Sequence, residues 1–569
     1  MILRDLLQLV LFIGLLAALS PLLGRYVHQV FSGRRTFLHP VLGPVERGVY
    51  SLSGIHPDEN QTWSRYAVSL IGFSLAGFLL TFGVLLFQDK LPLNPQGVPG
   101  LSWDLALNTA VSFLTNTNWQ SYGGETTMSH FSQMVALTYQ NFVSAAVGIA
   151  VCAAVVRGIA RNESSSIGNF WSDLVRITLY VLLPLSIIGA LIMLWQGMVQ
   201  NFDAGVTATT LEGGKQFIAT GPVASQIAIK LLGTNGGGFF NVNAAHPFEN
   251  PTALASFLQS FYILIIPSAL VFFLGDAVGS RRHAWTVWAV MLALFIGGVL
   301  WIYFSELHGT HLLQQIAGGA VPNMEGKEVR LGAGATALWS IVTTVTSNGS
   351  VNGMHDSTMP ISGLMEMLNM QINTWFGGVG VGWMNYFTFI IIAVFISGLM
   401  VGRTPEFLCH KVEAREMKVA SIVALLHPFV ILVGTALAAY LYVHAPAFVE
   451  NEGGWLNNPG FHGLSEMLYE FTSVAANNGS GFEGLGDNTW FWNYSCGIVL
   501  ILSRFIPIVG QVAIAGLLAS KKYIPESAGT LKTDTVTFSV MTFAVIFIVA
   551  ALSFFPVHAL STIAEHFSL

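Results

Sequence analysis

Four short polar strings carry the chemistry this 569-residue sequence offers: TNTN at 115–118, TNGGG at 234–238, SNGS at 347–350 and NNGSG at 477–481. Gly admits positive φ and close backbone approach, and Asn tolerates the left-handed region better than most residues, so such strings can aim successive carbonyls at one line. A ring of carbonyl oxygens can replace the hydration shell of a monovalent cation. TNGGG suits this best, SNGS and NNGSG follow, and TNTN has no Gly. The strings contain no Asp or Glu, which argues against calcium or magnesium, whose sites usually recruit carboxylates. A single string of this kind is most often a plain helix C-cap or loop. Four of them are a different matter. Asn116, Gly236, Gly349 and Gly479 occupy comparable positions, 120, 113 and 130 residues apart, a period that indicates internal duplication.

Each string closes an apolar segment of about a dozen residues, which as a helix reaches ~18 Å, too short to cross a bilayer core of roughly 30 Å. In the first, Ser102 is the expected N-cap with Asp104 in the first turn, and in the second Pro222 stands near the first helical position. Long apolar runs flank these segments. Ten are expected to span, near 5–23, 66–87, 131–156, 177–195, 254–274, 284–304, 379–401, 419–443, 490–519 and 536–557. The expected fold is therefore an all-α polytopic membrane protein. Four pseudo-repeated units of span, pore helix, filter loop and span surround a central pore, at 63–162, 163–280, 281–412 and 413–525. Residues 1–62 add a spanning helix with a cytoplasmic loop, and 526–569 add a tenth helix. Non-helical backbone at membrane depth must be buried in protein or line a watery path, so the four turns are expected to line one.

Composition agrees: 53% of residues are hydrophobic, 9% are charged, and the mean hydropathy is +0.62. A net charge of -6 offers no basic face for nucleic acid. Seventeen Lys and Arg lie on the side of the short connections and six on the other, with Arg504 inside a span, which puts the short loops in the cytoplasm and both termini outside. A cleaved leader at 1–23 would require the opposite arrangement. On the outer side Asp104, Glu125, Glu249, Asp356, Glu483 and Asp487 are expected to form an anionic mouth. Cys152, Cys409 and Cys496 are too dispersed for a zinc or disulfide framework and read as packing residues. His308 and His311 have zinc-ligand spacing without further ligands and read as a loop pair. Trp103, Trp171, Trp490 and Trp492 read as interfacial anchors. Neither GxxxxGK[ST] nor DKTG occurs, so any energy from ATP comes through another chain. A membrane enzyme would need a convergent acid, base or nucleophile set, which the turns lack.

Longer strings carry a resemblance: TNTNWQSYGGE at 115–125, GTNGGGFFNVNAAHPFENP at 233–251, NGMHDS at 352–357, VGRTPEFLCHKVEAREMK at 401–418 and AANNGSGFEG at 475–484. Over essentially its whole length the chain resembles the potassium-binding A subunits of the bacterial Kdp potassium-importing ATPase, within the superfamily of potassium transporters. The resemblance implies a multi-pass protein of the bacterial inner membrane that takes K+ from outside as the transported ion, with no organic cofactor. It implies filter residues Asn116, Thr117, Asn118, Gly236, Gly237, Gly238, Gly349, Ser350, Gly479 and Ser480, with Gln120 tied to potassium affinity. It implies three partners: a P-type ATPase subunit, a small single-span periplasmic subunit and, in some species, a short accessory peptide. The ion would leave sideways toward the ATPase subunit. The third turn departs from the pattern in carrying Asn348 and Ser350 where smaller or less polar residues are expected. Arg504 either opposes direct passage beneath the filter or caps nearby carbonyls. Arg403, Lys411, Arg415 and Lys418 form either a docking surface for the ATPase partner or a solvated face. The alternative function is a self-sufficient potassium channel or cation symporter of the same superfamily.

Overall fold

The computed structural model describes residues 2–402, 404–525 and 532–569. Among them are ten helices long and apolar enough to cross a membrane: Leu3–Phe31, Trp63–Leu86, Ser132–Ala160, Phe170–Trp195, Ala253–Ala277, Arg281–His308, Val381–Met400, Ala414–His444, Trp490–Ala519 and Val536–Ser568. Each coincides with an expected span, and several run longer than their apolar stretch because polar caps close them. Thr62, Asn169, Thr252, Ser280, Thr489 and Thr535 each accept a backbone N–H at a helix start. The third and fifth spans have 83% of their most apolar window buried, against 22% for the first and tenth. The former are therefore central, and the latter lie on the lipid-facing rim.

Close approach of backbones holds the spans together, as expected where lipid removes the hydrophobic drive between helices. A Cβ on Gly24 of the first span would stand 2.6 Å from the Ala269 carbonyl oxygen on the fifth, and the neighbouring Ser20 and Ser268 hydroxyls are 2.7 Å apart. On the side of the short connections, two largely buried ion pairs pin the start of the fourth span to what precedes it. Arg157 bonds Asp173, which also accepts from the Tyr66 hydroxyl, and Arg176 meets Glu46 at 3.0 Å.

Between spans run four shorter helices that do not cross: Trp103–Leu114, Val223–Leu232, Gly332–Val345 and Phe461–Ala475. Ser102 occupies the expected N-cap position of the first, but its side chain caps nothing. Between the sixth and seventh spans lies a further helix outside every expected span and short segment, Pro360–Ile372, followed by non-helical residues 373–380. Trp492, expected at the interface, is fully buried and packs edge-on against Trp455 and Phe491 and at a tilt against Phe471.

Candidate functional site

All four short helices end in the same way. The residue after each C-cap, Asn116, Thr234, Ser347 or Asn477, has φ between 46° and 67°. The N–H of the next residue, Thr117, Asn235, Asn348 or Asn478, then reaches back five residues into the helix. This left-handed closure satisfies an orphan carbonyl and throws the chain sharply outward. It also fixes the correspondence between turns: Asn118, not Asn116, stands level with Gly236, Gly349 and Gly479.

These four positions meet in a closed ring. A Cβ on Gly236 would collide with Gly349 and stand 2.8 Å from the Thr117 oxygen; one on Gly349 would collide with Gly479; one on Gly479 would collide with the Thr117 carbonyl. The next layer is equally tight, with the Asn118 oxygen 2.7 Å from a Cβ on Gly237. Side chains brace the ring from behind. Asn116 donates to the Gly233 and Thr234 carbonyls at 3.1 Å, Asn118 to Gly236 at 3.2 Å, and Asn478 to Thr343 at 2.9 Å. Gln120 clasps the second turn twice, accepting from the Gly238 N–H at 2.7 Å and donating to the Gly238 carbonyl at 3.1 Å.

The carbonyls of Thr117, Asn118, Gly237, Gly349 and Gly479 have no hydrogen-bond donor among the described residues. Ser350 differs from its expected part. Its carbonyl accepts from Trp339 Nε1 and Thr343 Oγ1, both at 2.7 Å, so it faces the third pore helix. The same contacts explain the unusual polarity of that turn: Asn348 Oδ1 takes the Ser350 N–H at 2.9 Å, and the Ser350 hydroxyl takes the Lys230 ammonium at 3.2 Å. The Ser480 hydroxyl meets Tyr469 at 2.8 Å.

Outside the ring lies a cavity of about 540 Å³, into which Asn118, Gln120, Gly237, Gly349, Gly479 and Ser480 face. Of the six acids expected at the mouth, only Glu483 and Asp487 line it, joined by Glu470. Glu249 is fully buried behind the second turn and paired with Lys230 at 3.0 Å. Asp104 is held by Asn493, Glu125 by the Asn241 N–H, and Asp356 by His462. Burial raises the Glu483 carboxyl to about 7, and burial, opposed by bonds from Ser121 and Trp119, leaves Asp487 at about 6.

On the opposite side of the ring sits the unwound segment 373–380. The Gly377 N–H bonds the Val345 carbonyl at 2.7 Å, the Val379 N–H bonds Thr234 Oγ1 at 2.9 Å, and Ser347 Oγ bonds Asn373 at 2.9 Å. This plug was legible only as a Gly run in FGGVGVG. Arg504 is buried beside it. Its Nη2 lies 3.2 Å from where a Cβ on Gly148 would be, next to Val379, and it has neither a hydrogen bond nor an ion pair among the described residues. Lys411 pairs with Glu413 at 3.3 Å, while Arg415 and Lys418 are exposed at the start of the eighth span. Arg403 lies outside the described residues. His308 and His311 bond Phe304 and Gln315 respectively and do not converge.

Ten spans with four re-entrant helices and turns closing on one axis define an ion-transporter architecture. The fold matches the potassium transporter TrkH from Vibrio parahaemolyticus with a TM-score of 0.52 at 13% identity, over 90% of this chain and 98% of that one. In sequence, residues 10–567 match the family described as Potassium-transporting ATPase A subunit. The chain is 61% identical to the potassium-transporting ATPase potassium-binding subunit of Phocaeicola vulgatus over 559 residues, 98% of each chain. It is 59% identical to that of Bacteroides thetaiotaomicron over 567 residues, 99% of this chain and all of the relative. The chain belongs to the family of potassium-transporting ATPase A subunits.

Proposed function

We propose that this chain is the potassium-binding and translocating subunit of an ATP-driven import complex. The observation that carries this reading is the closed ring of four turns with undonated carbonyls. K+ enters the outer cavity, sheds water against the oxygens of Thr117, Asn118, Gly237, Gly349 and Gly479, and is held where backbone replaces hydration. The remaining expected positions act around that path: Asn116, Gly236 and Gly238 set the backbone, Ser350 and Ser480 hold their turns to the pore helices. The four units run 63–162, 163–280, 281–412 and 413–525, a division that the shared helix closures support.

Arg504, charged, beside the unwound segment and without a partner among the described residues, opposes straight passage of a cation and favours a sideways exit to the ATP-hydrolysing partner. A P-type ATPase subunit docks at the loop bearing Arg403, Lys411, Arg415 and Lys418, and a small single-span periplasmic subunit and a short accessory peptide complete the assembly. The chain sits in the bacterial inner membrane with both termini outside, a reading supported by its seventeen basic residues on the side of the short loops. Reconstitution with and without the ATPase partner, measuring ATP-driven rubidium uptake, tests the whole. Conduction by the purified chain alone would instead favour a self-sufficient channel or symporter.

Two results are expected at the site. Gln120→Ala removes both clasps on Gly238, worth ~1 kcal/mol each, and should raise the half-saturating K+ concentration roughly tenfold in uptake assays without changing expression. Acidifying the outside from pH 7.5 to 5.5 should weaken apparent K+ affinity by roughly tenfold as Glu483 and Asp487 take up protons and the cavity loses two negative charges. The sign for stability is opposite. Carboxyls raised by burial stabilise the fold below their ordinary range, and that contribution is lost as pH rises through 6 to 7, so protonation of these two groups does not itself weaken the fold. Uptake by the double variant Glu483→Gln/Asp487→Asn should show no such slope.

A further inference from the structure

On the outer face, away from the ring, Asp356, His462 and Glu466 each bring one ligand-type atom within 4.8 Å of the others. His462 and Glu466 lie one helical turn apart in the fourth pore helix, and Asp356 comes from the loop after the third turn. His462 Nε2 stands 2.9 Å from Asp356 Oδ1, while its Nδ1 stands 2.7 Å from Glu565 Oε1 on the C-terminal helix Thr562–Ser568. A metal-bound histidine typically gives its second ring N–H to a carboxylate, and Glu565 occupies that place.

Glu466 supplies an independent sign that the cluster takes a cation. It is fully buried, one oxygen accepts from Asn458 at 3.2 Å, and Oε2 has no partner among the described residues. A buried carboxylate oxygen without a partner is costly. No Lys or Arg pairs with Asp356, Glu466 or Glu565 among the described residues, so three carboxylates share one imidazole. A divalent ion balances that charge, and one nitrogen with two carboxylate oxygens is a zinc-class donor set.

We propose that Asp356, His462 Nε2 and Glu466 form a zinc-class divalent metal site, with Glu565 fixing the His462 tautomer. The partial exposure of Asp356 and His462 opens it to the outside. The site ties the third and fourth turns together. Phe482 stacks on His462 at 5.7 Å and on Tyr469 at 4.2 Å, and Tyr469 holds Ser480.

The test is calorimetric titration of the purified, chelator-stripped full-length protein with zinc chloride alone. One equivalent should bind with Kd below about 10 μM. His462→Gln and Glu466→Gln should each weaken binding at least a hundredfold, and Glu565→Gln by roughly 10–100-fold, the range for a carboxylate behind a ligand. Should Glu466→Gln fail to fold, Asp356→Asn at a partly exposed position gives the same reading. Absence of stoichiometric zinc uptake by the wild type, or binding that survives in His462→Gln and Asp356→Asn, overturns the assignment.

Discussion

Replacing Gly236 by Ala should raise the K+ concentration needed for half-maximal uptake by roughly 10–100-fold and admit sodium, with the protein still folded. The position has φ 110°, which L side chains rarely adopt, and its new methyl would press on Gly349 and on the Thr117 oxygen. Holding such a conformation costs ~1–3 kcal/mol. The turn relieves that by shifting, and the displaced atoms are those that replace the ion's water. Gly197→Ala is the control: it has φ 97° and no atom within 4 Å of its Cβ position, so it bears comparable backbone strain far from the ring. Uptake assays over a potassium series, with sodium as competitor, read both variants. If Gly236→Ala matched the wild type in affinity and still excluded sodium, the ring would not be the selective element.

The second large effect is expected at Lys230. This side chain is fully buried in the second pore helix, bonded to Glu249 at 3.0 Å and to the Ser350 hydroxyl at 3.2 Å. Glu249 in turn accepts the Phe240 N–H at 2.8 Å, so one ion pair ties the second and third turns. Lys230→Met leaves a buried carboxylate without its cation, a loss of ~3–5 kcal/mol, and should lower the Tm of the detergent-purified protein and loosen K+ binding. Adding Glu249→Gln removes the stranded charge while keeping an acceptor for Phe240. The double variant should therefore recover more than half of the lost Tm. Equal melting of single and double variants would mean that the pair contributes nothing beyond packing.

Much of the architecture was legible in one dimension. A span must be about 20 apolar residues long whatever surrounds it, so composition alone located all ten, each within a few residues at most ends. The short helices were legible for the converse reason. Pro360–Ile372 was not, because Glu366, Asn369 and Gln371 interrupt its hydropathy, and those side chains are tolerable there only since Ser340, Thr344 and Thr472 meet them across the fold. Four of the six outer acids, Asp104, Glu125, Glu249 and Asp356, were misread in the same way. A carboxylate in an external segment looks like part of a mouth until its partner is seen, and the partner of Glu249 is a lysine on the neighbouring helix.

The sequence by itself determined that this is a ten-span protein with four glycine- and asparagine-rich turns able to offer carbonyls to a monovalent cation, because helix length and backbone permissiveness are local properties. Tertiary structure decided that Asn118, not Asn116, is level with the three glycines, that the Ser350 carbonyl turns away, that residues 373–380 fill the space beneath, and that Arg504 stands beside them without a partner among the described residues. Those outcomes depend on hydrogen bonds that hydropathy does not encode, from the helix closures and the Trp339 and Thr343 bonds to Ser350 up to the reach of the Val379 N–H to Thr234 across 145 residues.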